Sequence, residues 1–198
     1  MENQASQQKM LYRGIVYGLP PRFKDSTFEN FIVDEPKQQV IVDILKNYAL
    51  AFSDKSPSLI LVGNPGTGKG HLVCSLGKAQ NNNQFYMRFV QSYEMLKNIK
   101  STWKPDSEDD EDEVLGMYQG APLLCIDDVG IGFASTADKI LFYEVIDYRY
   151  NRFLPTIITA NCSLKSLEEI VGENVIDRLL DNNGKILTFS WSSHRRQA

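Results

Sequence analysis

Residues 63–70 read Gly-Asn-Pro-Gly-Thr-Gly-Lys-Gly, and they constrain the fold more than any other stretch of the chain. The run follows four apolar residues, Leu59 to Val62, and leads into a helical pattern that begins at Lys69. Glycine reaches backbone conformations closed to other residues, so such a segment can curl until successive N–H groups point into one concavity. The helix that follows brings the positive end of its dipole to the same point. A buried strand, a glycine-rich turn and a helix in this order open a parallel α/β sheet with an anion site at the strand's carboxyl end. The spacing is G-x-x-x-x-G-K, and the expected ligand is a nucleoside triphosphate. Its expected contacts are Gly63, Asn64, Pro65, Gly66, Thr67, Gly68, Lys69, Gly70 and His71, with Lys69 supplying a mobile charge for the β- and γ-phosphates.

The rest of the chain alternates in the manner this start requires. Short apolar runs predict strands at Leu59–Val62, Phe85–Val90, Leu123–Asp127, Thr156–Ala160 and Lys185–Ser190. Helical periodicity follows Pro36, with Val40, Ile41, Ile44, Leu45, Tyr48 and Ala49 on one face and an end near Ser53. Further helices are predicted at Lys69–Gln80, Ser92–Trp103, Thr136–Phe153, Leu164–Val171 and Val175–Leu180. Parallel neighbours need crossover connections, so the fold class is α/β: a five-stranded parallel sheet covered by helices on both faces. Residues 1–26 show no sustained period and are expected to be an arm, with the nucleotide-binding domain at 27–198.

Within 104–120, the segment Asp106–Glu113 carries seven carboxylates in eight residues and is expected to be a solvated, mobile loop. It governs the charge balance. The chain has 198 residues and a net charge of -4, which argues against attachment to nucleic acid by bulk charge. Without those seven carboxylates, 18 acidic residues stand against 21 basic ones, a mildly basic body. No stretch approaches the roughly 18 apolar residues of a membrane span, and the polar start lacks a signal-peptide block; the expected location is the cytoplasm. Cys74, Cys125 and Cys162 lie far apart in apolar contexts and are expected to be free thiols rather than a disulfide or metal framework.

Gly70 stands where a Ser or Thr hydroxyl usually holds Mg²⁺, so the metal must depend on phosphates, water and an acidic residue from elsewhere. Leu123-Leu124-Cys125-Ile126-Asp127-Asp128 places paired carboxylates at a strand's carboxyl end. Asp127 is the candidate for Mg²⁺, directly or through water, and Asp128 for polarising an attacking water. Thr156–Ala160 leads to Asn161, whose amide is suited to positioning that water, although Asn also commonly ends strands.

Taken in order, GNPGTGKGHL, LLCIDDVG, TIITAN, GENVIDRL and FSWSSHRRQ resemble the AAA+ ATPase domain of the bacterial replicative helicase loaders, the DnaC/DnaI family. The resemblance covers about residues 27–196. It implies an AAA+ fold without a separate C-terminal lid, ATP and Mg²⁺ as cofactors, Lys69 on phosphate, Asp127 and Asp128 as the Walker B pair, and Asn161 as sensor I. Arg178 matches the arginine finger, which completes a neighbouring subunit's site and so implies a head-to-tail oligomer; a surface salt bridge is the alternative. Arg195 matches the sensor II arginine, with a basic tail as the alternative. Expected partners are a replicative helicase or initiator protein and single-stranded DNA.

The family's DNA-contacting region corresponds to residues 92–120, where Lys97, Lys100, Trp103 and Lys104 combine cations with an aromatic. The same lysines also suit the solvated face of an amphipathic helix. Two departures are Asp128 in place of the Glu common in AAA+ proteins, and only 26 residues ahead of the resemblance, too few for the helicase-binding domain of loaders. With Gly70 they motivate a second reading, a weakly hydrolysing, nucleotide-gated adaptor or inhibitor of a replication protein; a third is an IstB-type transposition helper, whose ATPase core is similar.

Overall fold

The structure is a computed structural model that describes residues 15–80, 85–133 and 135–193. Six strands form one parallel sheet: β1 (Val16–Tyr17), β2 (Leu59–Gly63), β3 (Met87–Gln91), β4 (Leu123–Asp127), β5 (Thr156–Ala160) and β6 (Lys185–Phe189). Their order across the sheet is β1-β3-β4-β5-β2-β6. The five expected strands are therefore joined by a sixth from the N-terminal segment. Val16 and Tyr17 pair with Met87 and Arg88; a two-residue edge strand is too short to show a period.

The helices are α1 (Pro36–Leu50), α2 (Lys69–Ala79), α3 (Ser92–Ser101), α4 (Glu111–Gln119), α5 (Thr136–Tyr150), α6 (Leu164–Val171) and α7 (Glu173–Leu180). Helix α4 occupies half of the span expected to be a loop. Asp110 caps it, accepting from the Asp112 and Glu113 N–H groups, and the carboxylates of its first turn face the positive end of the helix dipole. Val114, Leu115 and Tyr118 bury its other side.

Side chains of the central strands alternate between two cores, as the two-residue period of a strand demands. Leu59, Leu61, Leu123, Cys125 and Ile157 pack with α1 and α2 on one face. Ile60, Leu124, Ile126 and Ile158 pack with α3 to α7 on the other. Cys74 and Cys125 are buried and Cys162 half-buried, all free. Burial raises all three thiols, Cys74 to about 12, so none is a ready thiolate.

Register sets the location of the site. Gly63 pairs with Phe189, Val62 with Ala160, and Gln91 with Asp127. The carboxyl ends of β2, β4 and β5 therefore meet at one edge. Between β2 and β3 the chain crosses β5 and β4, which makes a topological switch point.

Candidate nucleotide site

The loop after β2 is braced from behind. Lys69 Nζ donates to the Gly63 carbonyl at 2.9 Å and the Asn64 carbonyl at 2.8 Å. The Thr67 hydroxyl donates to Asn64 O at 2.8 Å, and the buried Trp191 indole donates to Thr67 O at 3.0 Å. With these carbonyls turned away, the cavity side of the loop is left to Pro65, Gly66, Gly68, Lys69, Gly70 and His71. Gly63, Asn64 and Thr67 shape the loop rather than line the cavity. Gly68 has φ 93°, and a Cβ there would meet the Phe31 ring at 2.4 Å, so backbone conformation and space both require glycine.

Opposite the loop stand the strand ends. Thr159 joins both carboxylate positions: its hydroxyl donates to Asp127 Oδ1 at 2.6 Å and accepts from the Asp128 N–H at 3.1 Å. Asn161 Nδ2 donates to Asp128 Oδ1 at 2.5 Å. Asp128 has φ 54°, a left-handed conformation that costs of order 1 kcal/mol and persists only when its surroundings hold it. Ser92, fully buried, supplies part of that hold by donating to Asp128 O at 2.9 Å and Ile131 O at 3.2 Å. Burial raises the Asp127 carboxyl above its ordinary range and the Asp128 charge adds to this, while Thr159 and Arg22 oppose it.

The third wall comes from the arm. Arg22 and Phe23, in a 3₁₀ turn at Pro21–Phe23, line the same cavity of about 290 Å³, together with Asn30, Phe31 and Ile32. Arg22 Nη2 lies 3.9 Å from Asp127 Oδ2. Lys78 of α2 donates to the Phe23 and Lys24 carbonyls at 3.0 and 3.1 Å. His71 Nε2 lies 2.8 Å from the Thr27 carbonyl; because a carbonyl only accepts, this bond fixes the proton on Nε2. His71 thus lines the cavity and also anchors the chain at Thr27, where the arm ends.

The donor chemistry suits a magnesium ion brought in by phosphates. Asp127 is buried at the cavity with Asp128 beside it, and position 70 contributes no hydroxyl. Among the described residues no cluster of three or more His, Cys, Asp or Glu could hold a metal alone.

A family profile described as "IstB-like ATP binding protein" matches residues 20–198. The chain belongs to the IstB-like ATP-binding family. This IstB-like protein is 30% identical over 180 residues to the replicative helicase loader DnaC of Buchnera aphidicola subsp. Baizongia pistaciae, covering 91% of this chain and 73% of the relative. It is 26% identical over 183 residues to DnaC of Escherichia coli K12, covering 90% and 72%. A crystal structure of the DnaC helicase loader superposes with a TM-score of 0.76 at 24% identity, over 86% of this chain and 99% of that one. DnaA from Aquifex aeolicus, bound to AMPPCP, superposes at 0.71 with 20% identity, over 87% and 51%. These likenesses establish the α/β AAA+ fold.

Of the remaining expected residues of the IstB-like protein, Arg178, Lys97, Lys100, Trp103 and Lys104 do not line the cavity. Arg178 Nε donates to Asp147 Oδ1 at 2.8 Å and Nη2 to the Tyr143 hydroxyl at 2.6 Å, with its guanidinium 4.7 Å from the Tyr143 ring centre. It is thus held by α5 of its own chain. Arg195 lies outside the described residues. Lys97 and Lys104 are exposed, and Trp103 is exposed with its indole donating to Glu111 at 2.9 Å. Among the described residues no helix is long and apolar enough to cross a membrane.

Lys100 has a structural partner. Its Nζ is 2.6 Å from Oδ1 of Asp138, whose side chain is only 2% exposed. Asp138 also accepts from the Ser135 N–H and hydroxyl, closing the N-terminal box of α5. Burial pushes this carboxyl up, but Lys100 and Ser135 outweigh it and the net shift is downward. Its stabilising contribution is therefore present above the ordinary carboxylate value and is lost as pH falls through the lowered one. Lys100→Met should cost about 2 kcal/mol at neutral pH. Parent and variant should converge at acid pH, below the ordinary carboxylate value, as Asp138 protonates. Urea melts across that range measure this, and a gap independent of pH would assign the loss to packing instead.

Proposed function

We propose that this chain is a DnaC-like AAA+ ATPase of DNA replication, in which ATP binding and slow Mg²⁺-dependent hydrolysis drive head-to-tail assembly and remodelling of a helicase or initiator partner. The observation that carries this reading is the meeting of Lys69, Asp127, Asp128 and Asn161 in one cavity at the ends of three neighbouring strands. In operation Lys69 moves from the loop carbonyls to the incoming phosphates. Asp127, directly or through water, holds magnesium, which neutralises phosphate charge when bound. Asp128, fixed by Asn161 and Thr159, accepts a proton from the attacking water. The shorter reach of Asp compared with Glu supports a slow step.

Arg178 serves the neighbouring subunit after leaving Asp147. Trp103, Lys97 and Lys104 form the single-strand surface, with Lys100 holding α5 in place behind them. Residues 27–198 act as the ATPase domain, with residues 15–26 of the arm packed against it.

The test is ATP turnover, with and without single-stranded DNA, for parent, Lys69→Ala, Arg178→Ala and the two variants mixed. Each variant alone should fall to background, and the mixture should recover part of the parent rate, because each supplies what the other's site lacks. A parent at background that still binds ATP would leave the nucleotide-gated adaptor in place of the ATPase.

A further inference from the structure

Position 70 and the arm are two sides of one replacement. A Cβ at Gly70 would lie 2.7 Å from Cζ of Phe23, so the Phe23 ring fills the space beside the residue that usually carries the metal-binding hydroxyl. On that ring rests the Arg22 guanidinium, 4.6 Å from its centre. Arg22 is in turn 3.9 Å from Asp127 Oδ2, too long for a hydrogen bond but within ion-pair range. The arm is fixed where it must be for this, with Lys78 donating to two arm carbonyls and His71 meeting the carbonyl of Thr27, where the arm ends. Losing a hydroxyl has thus made room for an aromatic ring that brings a permanent cation to the metal side of the cavity.

We propose that Arg22 is a phosphate-binding residue for the nucleotide, supplying from the arm part of the positive charge that a hydroxyl-held Mg²⁺ supplies elsewhere, so that ATP binding here depends only weakly on Mg²⁺. A guanidinium is charged at any pH a cell reaches and matches phosphate oxygens two at a time. At 49% exposure the side chain can turn from Asp127 to an entering triphosphate without unpacking the core. Lys69 and Arg22 line one cavity, so the phosphates meet a cation from each side. This inference rests on the proposed ATP site and adds a ligand to it.

The experiment is titration of the full chain with ATP by calorimetry, in Mg²⁺ and in EDTA, for parent, Arg22→Ala, Arg22→Lys and Lys69→Ala, with melting temperatures as the fold control. Parent affinity should change by no more than about tenfold between Mg²⁺ and EDTA. Arg22→Ala should weaken binding about tenfold in Mg²⁺ and about a hundredfold in EDTA, with an unchanged melting temperature. Arg22→Lys should fall between, since it keeps the charge but loses the planar fork. Arg22→Ala binding like the parent in both buffers overturns the inference, and so does tighter binding, which would make the arginine a competitor of the ligand. If the parent does not bind ATP, or Lys69→Ala binds as well as the parent, the ATP site itself is refuted.

Discussion

Lys69→Ala will weaken ATP binding about a hundredfold, roughly 3 kcal/mol, while leaving the fold almost unchanged. The two halves of this expectation have separate causes. Lys69 is 5% exposed, and its ammonium donates to the Gly63 and Asn64 carbonyls. Burying an ammonium is costly, and two neutral carbonyls only partly compensate, so removing it costs the empty fold little. Asn64 O also keeps the Thr67 hydroxyl. The Trp191 bond to Thr67 O holds the loop in either variant. A triphosphate, by contrast, offers full negative charge to that ammonium, and charge-assisted bonds are about twice as strong as neutral ones. Titration calorimetry with parallel melts reads both halves. A melting point lowered together with the affinity would mean that the lysine serves the loop rather than the ligand.

The parts legible in the sequence are those where one local rule dominates. Strands β4 and β5 coincide with the expected bounds because both faces are buried, so the apolar run is continuous and a carboxylate or an amide marks where it ends. Helix α4 was hidden by its own stabilising groups. Seven carboxylates read as a self-repelling coil, yet Asp110 and the first-turn acids are what an N-terminus favours, and the stripe of Val114, Leu115 and Tyr118 follows at helical spacing. Thr159 stands inside the quoted strand, but its contact with Asp127 arises from the alignment of Ile126 with Ile158 in neighbouring strands, which no local pattern reports.

Phe23 reaches the cleft beside Gly70 and Lys78, about fifty residues along the chain, and carries Arg22 with it. Lys100 fits the spacing of a solvated face equally well, and only Asp138, 38 residues away, decides its role. The candidate residues on the phosphate loop and strand ends, which line one cavity, were therefore readable, whereas those that position them were not.

Arg149→Met will be the most destabilising single change away from the cleft, about 4 kcal/mol or more. Arg149 is fully buried, at 0% exposure, and among the described residues none of its hydrogen-bond partners is a carboxylate. Its Nε donates to the Thr156 hydroxyl at 2.8 Å, Nη1 to the carbonyls of Tyr118, Gln119 and Ala121, and Nη2 to that of Pro155 at 2.6 Å. Burial pushes the guanidinium down to about 9, still above neutrality, so the group remains a cation. Two of its acceptors end α4, where a cation meets the negative pole of the helix dipole. Of the others, Ala121 and Pro155 precede β4 and β5 and Thr156 opens β5, so one side chain ties α5 to the entry of both strands that carry candidate site residues.

Methionine fills similar volume and takes a donor from five acceptors, of which the Pro155 carbonyl keeps another, the Leu124 N–H at 3.4 Å; each one left unpaired costs of order 1 kcal/mol when buried. The position is marked in the sequence, since Arg149 continues the buried stripe of Leu141, Phe142, Val145 and Ile146 where an apolar residue belongs. Urea midpoints give the magnitude, and hydrogen exchange locates it. Protection in residues 111–119 should fall first, because that helix loses its C-terminal anchor while β2 keeps both neighbours. A variant within about 1 kcal/mol of the parent, with α4 still protected, would mean that ordered water replaces the guanidinium.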